Sequence, residues 1–156
     1  MRALSDDFEK SVGAAVISTA RRIQLTMTAD LQHFGMTYAQ WTLLAFLVRR
    51  GPVHQSLIAE HVGSKPSTIC RVLDGMQRNG WIARETCPDD PRRKLIVLQP
   101  KVRPVWKELK RIAHRVRRTA LRGIDPERQR ELLILLDTVR SNLSEADPQS
   151  RTRGTQ

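Results

Sequence analysis

The chain has 156 residues, the size of one ordinary domain, and with 40% apolar residues it can bury a core. Its 27 Lys and Arg against 16 Asp and Glu leave a formal charge of +11, so a polyanion is the partner to expect, and a 4% aromatic content argues for a duplex over base-stacked single strands. No run approaches the ~18 apolar residues of a membrane span, the start at Met1-Arg2-Ala3-Leu4-Ser5 lacks a secretion signal, and two cysteines suit a reducing compartment, so a soluble cytoplasmic protein is expected.

Ser5 is placed to cap a first helix with Asp6 and Asp7 in its first turn. Phe8, Val12, Val16, Thr19, Ile23, Met27 and Leu31 then recur at helical steps, and Gly35 should end the helix. Thr37 and Gln40 form a capping box for a second helix burying Trp41, Leu44, Ala45 and Val48, which Gly51-Pro52 terminates. A short helix from His54 to Val62 buries Ile58 and Val62, and Gly63-Ser64 turns the chain into the next helix, with Pro66 at its first position. That helix runs to Asn79 with Ile69, Val72, Leu73 and Met76 inside, and Gly80 closes it. Two β-prone runs, Trp81 to Thr86 and Lys94 to Leu98, flank the turn chemistry of Cys87 to Arg93 and predict a hairpin with a basic tip. From Pro104 the helical period returns through Val105, Leu109, Ile112, Val116 and Ala120. Asp125-Pro126 opens a last helix burying Leu132, Leu133, Leu136, Val139 and Leu143, and the polar residues from about Asp147 should fray.

A helix, a Gly-containing turn, a second helix and a hairpin is the plan of a winged helix-turn-helix, whose second helix enters the major groove. The expected fold class is mainly α with a small β-hairpin wing, flanked by long helices. Lys65, Pro66, Ser67 and Thr68 put short side chains and a helix N-terminus where bases and phosphates are approached. Arg71, one turn along, can reach a guanine edge or the backbone. The plainer alternative is that Ser67 and Thr68 only cap the helix and Arg71 is solvated. In the wing, Arg92, Arg93 and Lys94 stand beside Asp89 and Asp90, a simple solvated turn being the alternative there.

Gln40-Trp41-Thr42-Leu43-Leu44, the stretch from Gly63 to Arg71-Val72-Leu73-Asp74, Asn79-Gly80-Trp81-Ile82 and Asp90-Pro91-Arg92 resemble the signature of the MarR-type transcriptional regulators. The resemblance covers roughly Ser5 to Leu143. It implies one domain over 1–146, with a winged-helix DNA-binding lobe at 37–99, dimerisation helices at 5–34 and 104–146, and a polar tail at 147–156. It also implies that Arg92 inserts into a narrow minor groove while Asp90 braces the hairpin, and that a homodimer binds a pseudo-palindromic operator on double-stranded DNA. Repression released by a small anionic effector, an aromatic acid or thioester, is the expected logic, with Arg22, His33, Tyr38 and Trp41 as pocket residues. The chain departs from the family pattern at His54, Leu57, Val102 and Pro104, and the helix after the wing is expected to start at Pro104 itself.

Between Lys101 and Arg122, nine basic residues oppose only Glu108, a local charge of +8. Two readings apply: a solvated face adding non-specific attraction to DNA, or an anion site for the phosphates of a larger ligand such as an acyl-CoA thioester. A redox-sensing regulator using Cys70, beside Arg71, is a neighbouring alternative, with packing the plainer role for that thiol. An architectural DNA-coating protein without an effector is another. His33, His54, His61 and His114 show no metal-ligand spacing, no cofactor is expected, and the chain lacks phosphate loops and nucleophile elbows, so an enzyme is not expected.

Overall fold

The structure, a computed structural model, describes residues 11–62, 64–87, 90 and 93–146. Its contacts divide the chain into two compact units, Met1–Val116 and Arg117–Gln156.

In the first unit, helix α1 spans Val12–Leu31. Ser11 is extended and its hydroxyl accepts the Ala14 N–H at 3.1 Å, capping this helix; Ser5, expected as a cap, lies outside the described residues with Asp6, Asp7 and Phe8. Met27 and Leu31 are buried, whereas Val12, Val16 and Thr19, expected on the inner stripe, are exposed. After a 3-10 turn at Gln32–Phe34, Gly35 takes a left-handed φ of 61° and the Met36 N–H reaches back to the Leu31 carbonyl at 3.2 Å.

Helix α2, Tyr38–Arg50, opens with the expected capping box: Thr37 Oγ1 accepts from the Gln40 N–H at 3.2 Å, and Gln40 Oε1 accepts from the Thr37 N–H at 3.0 Å. Its buried residues are Gln40, Leu43, Leu44, Phe46 and Leu47, while Trp41, Ala45 and Val48 are only half-buried. The inner face is therefore wider than the expected stripe and turned from it, because α2 is covered by α1 and also by the helix at Pro66–Arg78 and the third strand below.

Val53 and His54 form a two-residue strand, β1, where a helix start was expected, and α3 occupies Gln55–Val62. Pairing of Val53 with Ile96 and His54 with Leu95 overrides the local helical pattern. Ile58 is fully buried, but Val62, expected inside, is exposed at the helix end. Helix α4 is Pro66–Arg78, with Ile69, Leu73 and Met76 buried and Val72 half-buried. It ends at Asn79, where Gly80 (φ 69°) lets the Trp81 N–H bond the Met76 carbonyl and its own N–H bond the Gln77 carbonyl, both at 2.9 Å.

Strands β2 (Ile82–Thr86) and β3 (Lys94–Leu98) make the hairpin in register from Ile82 opposite Leu98 to Thr86 opposite Lys94. The sheet order is β1-β3-β2. Helix α5, Val102–Ala120, starts two residues before Pro104. The N–H groups of Val102 and Arg103 bond the Gln99 and Pro100 carbonyls at 3.0 and 3.1 Å, and Pro104 falls in the first turn, where a backbone donor has no intrahelical acceptor to lose. Leu109, with Leu31, Leu44, Leu47, Ile58, Leu73 and Ile96, is among the fully buried side chains that hold this unit together.

The second unit carries α6, Pro126–Ala146. Asp125 Oδ1 accepts from the Glu127 and Arg128 N–H groups at 3.1 and 3.0 Å, the cap expected ahead of Pro126. The helix buries none of its residues. Leu132, Leu133, Leu136, Val139 and Leu143, expected inside, are all exposed, as are Ile134 and Leu135. Among the described residues, no helix is long and apolar enough to cross a membrane.

Candidate nucleic-acid interface

Helix α4 is built to turn a polar face outward. Ile69, Leu73 and Met76 fasten one side to the core, while Pro66, Ser67, Thr68, Arg71, Asp74 and Arg78 are exposed. Lys65 is the N-cap and makes no side-chain capping bond; its carbonyl takes the N–H groups of Thr68 and Ile69 at 2.9 and 3.2 Å. Neither hydroxyl of Ser67 or Thr68 is used as a cap, which leaves both available to an outside partner. The first turn holds no acidic side chain, so the positive end of the helix dipole is uncompensated. Arg71 makes no ion pair among the described residues.

The wing emerges from the same unit. Across its neck the Cys87 N–H bonds the Arg93 carbonyl at 3.1 Å, and the Arg93 N–H bonds the Asp90 carbonyl at 3.0 Å. Lys94 Nζ donates to Thr86 Oγ1 at 2.8 Å, so it braces the neck instead of standing free. Arg93 is exposed, and Arg92, expected at the tip, lies outside the described residues.

Arg84, a residue that sequence reasoning did not single out, ties the wing to α4. Its Nη1 donates to Gln77 Oε1 at 2.7 Å, and its Nη2 meets Asp74 Oδ1 at 2.7 Å. The only trace in the sequence is a pair of polar residues three apart on α4, which does not reveal a partner on a distant strand. The far end of α4 is held by Lys101, whose Nζ donates to the Asn79 carbonyl at 2.8 Å and lies 4.6 Å above the Trp81 ring. Asn79 Nδ2 in turn donates to the Gly35 carbonyl at 3.3 Å.

Of the four residues expected at an effector site, two stand together at the start of α2. Tyr38 and Trp41 are half-buried with ring centroids 5.8 Å apart, and the Trp41 Nε1 is buried without a hydrogen-bond partner. Arg22 and His33 are exposed. A cleft of about 430 Å³ opens two turns along α2 from Trp41, lined by Val48, Leu98, Gln99, Pro100, Val102, Arg103 and Trp106. His61 stacks on Phe46 at 4.2 Å, and no group of three or more His, Cys, Asp or Glu among the described residues is placed to hold a metal. Cys70 is half-buried and accepts from Gln55 Nε2 at 2.9 Å, while Cys87 is buried; both are free thiols.

Residues 34–93 match the MarR family. A solved transcriptional regulator, PA3341, is 32% identical, and the match covers 86% of this chain and 99% of that one with a TM-score of 0.78. The chain belongs to the MarR family. A MarR transcriptional regulator from Methanosarcina mazei shares the fold at 19% identity, covering 87% of this chain and 98% of that one, TM-score 0.80. So does BpsR of Bordetella bronchiseptica, whose DNA binding is regulated by 6-hydroxynicotinic acid, at 20% identity, 85% and 94% coverage and TM-score 0.76. The winged helix-turn-helix and its transcription-regulator class are those of the MarR family.

Proposed function

We propose that this MarR-family chain is a sequence-specific repressor that binds a pseudo-palindromic duplex as a homodimer and is released by a small aromatic acid or thioester. The observation that carries the reading is the outward face of α4, where, among the described residues, Ser67 and Thr68 make no side-chain hydrogen bond and Arg71, one turn beyond them, makes no ion pair. Ser67, Thr68 and Arg71 read base edges in the major groove. Lys65 and Pro66 position the helix end against phosphate. Arg92 enters the minor groove, with Arg93 and Lys94 beside it and Asp90 holding the turn.

The exposed apolar residues of α6, and separately Val12, Val16, Ile17 and Leu25 on α1, are apolar surface that a soluble chain covers, which supports a second copy as partner. The indole N–H of Trp41, buried without a hydrogen-bond partner beside Tyr38, supports an effector on that face of α2, and Arg22 and His33 are the further residues assigned to it. The acid that regulates DNA binding of the similar Bordetella protein supports the ligand class. The effector acts by binding a lobe spacing unsuited to DNA better than the competent one.

The test selects a duplex from a random-sequence pool and measures its binding by anisotropy. Arg71→Ala is expected to weaken binding by about 1–3 kcal/mol with altered base preference at one position, and Arg92→Ala by a similar amount with little change of preference. Normal binding by both variants rejects the reading, and equal binding of all sequences by the unsubstituted protein would make it an architectural DNA-coating protein. Calorimetric titration with aromatic acids and their CoA thioesters, showing neither heat nor DNA release, rejects the effector part alone.

A further inference from the structure

We propose that the outward face of α5 is a second duplex-binding surface, so that one molecule holds a separate stretch of DNA there while α4 and the wing read the first. This rests on the reading face above only for the identity of the first duplex.

Helix α5 is sharply two-sided. Val102, Leu109 and Val116 are buried and Val105, Trp106 and Ile112 half-buried, while Arg103, Lys107, Lys110 and Arg111 are exposed on the opposite side. Arg111 has a carboxylate partner, Glu108 of the same helix, at 2.6 Å. Arg103, Lys107 and Lys110 make no ion pair among the described residues. The fold therefore keeps an uncompensated row of cations, whose mutual repulsion is a cost that an anionic partner relieves.

The dimensions and chemistry favour a duplex. From Arg103 to Lys110 the row runs about 10 Å along the helix axis, over which one DNA strand presents about three phosphates. The row itself contains no Phe, Tyr or Trp on which unpaired bases could stack; Trp106, half-buried against the core, lines the cleft beside Arg103.

Its position separates it from the reading head. Lys101, which leads into α5, is bonded to the Asn79 carbonyl at the C-terminal end of α4. Ser67, at the reading end, is about 18 Å away along the axis of α4. Further along α5, Arg115 is paired with Asp30, close in sequence to Gly35, whose carbonyl is also held by Asn79. Both anchors of the row thus lie toward the end of α4 remote from its first turn, which favours a separate stretch of duplex at the row.

The test uses the full chain and a variant carrying Arg103→Gln, Lys107→Gln, Lys110→Gln and Arg111→Gln, all exposed positions at which Gln keeps helix propensity. A duplex selected from a random pool is immobilised, protein is added, and a fluorescent duplex of unrelated sequence is supplied. The unsubstituted protein is expected to retain the labelled duplex. The variant should bind the immobilised duplex within about twofold, lose capture of the second by at least about tenfold, and lower the salt slope of binding to the unrelated duplex by about 3–4. The proposal is overturned if the unsubstituted protein captures no second duplex, if the variant captures it equally well, if first and second binding are lost together, or if a labelled RNA duplex is captured in preference. An Arg71→Ala arm separates the two readings: undiminished selectivity there rejects the reading face and leaves the bridging result standing.

Discussion

Gln40 shows how one side chain joins two helices. Its carboxamide oxygen caps the start of α2 through the Thr37 N–H, while its Nε2 lies where a side chain on Gly75 of α4 would begin, 2.9 Å from an ideal Cβ at that position. Gly75 has ordinary helical geometry, so the glycine is required by this close approach and not by its backbone. Alanine there gains up to about 1 kcal/mol of helix propensity but must push aside an amide held by the capping box, worth about 0.5–2 kcal/mol. Gly75→Ala is therefore expected to be neutral or destabilising in the native chain and stabilising by about 0.5–1 kcal/mol in a Gln40→Ala background, a double-mutant cycle that urea unfolding measures. The capping box was legible in Thr37 and Gln40, whereas the contact with Gly75, 35 residues away, has no local signature.

At the scale of elements, what the sequence revealed depended on whether an element's limits are set locally. The cap at Asp125-Pro126, the close of α4 at Gly80 and the hairpin strands follow from turn and capping chemistry, and they stand where the residues place them. β1 does not, because Val53 and His54 become a strand only when Ile96 and Leu95 arrive beside them. The start of α5 also depended on context: Pro104 bars a donor but not a helix, and the Gln99 and Pro100 carbonyls supply the preceding turn. For the candidate site, the α4 face was legible from Pro66 to Arg71, whereas the brace from Arg84 to Asp74 and Gln77 was hidden, since it joins a strand to a helix. Because that ion pair is partly exposed, Arg84→Ala should change unfolding stability by less than about 1 kcal/mol. Loss of the brace frees the wing relative to α4, so DNA affinity should drop by about 1 kcal/mol; denaturant melts and anisotropy on the same preparation check the two halves of that statement.

On the scale of the whole molecule, the apolar residues that this chain leaves in solvent are as informative as those it buries. Helical periodicity marked Leu132, Leu133, Leu136, Val139 and Leu143 as an inner face, and all five stand exposed among the described residues. A sequence pattern states that a face is to be covered without saying by which copy. If a second copy covers α6, Leu136→Asp should convert the protein to monomer in sedimentation velocity. DNA binding should weaken by at least about tenfold, or about 1.4 kcal/mol, because each chain then holds one half-site alone. A variant that stays dimeric places the interface elsewhere.

The two residues of β1 have a mechanical consequence. They occupy one edge of β3 while β2 occupies the other, and they run without a linker into α3 at Gln55. The wing is thus not a loose flap on a hinge. Any change in its tilt pulls on the start of α3 and, through that helix, on the turn that delivers α4. Wing tilt and the placement of α4 are geared together, so a substitution that alters one of them alters both.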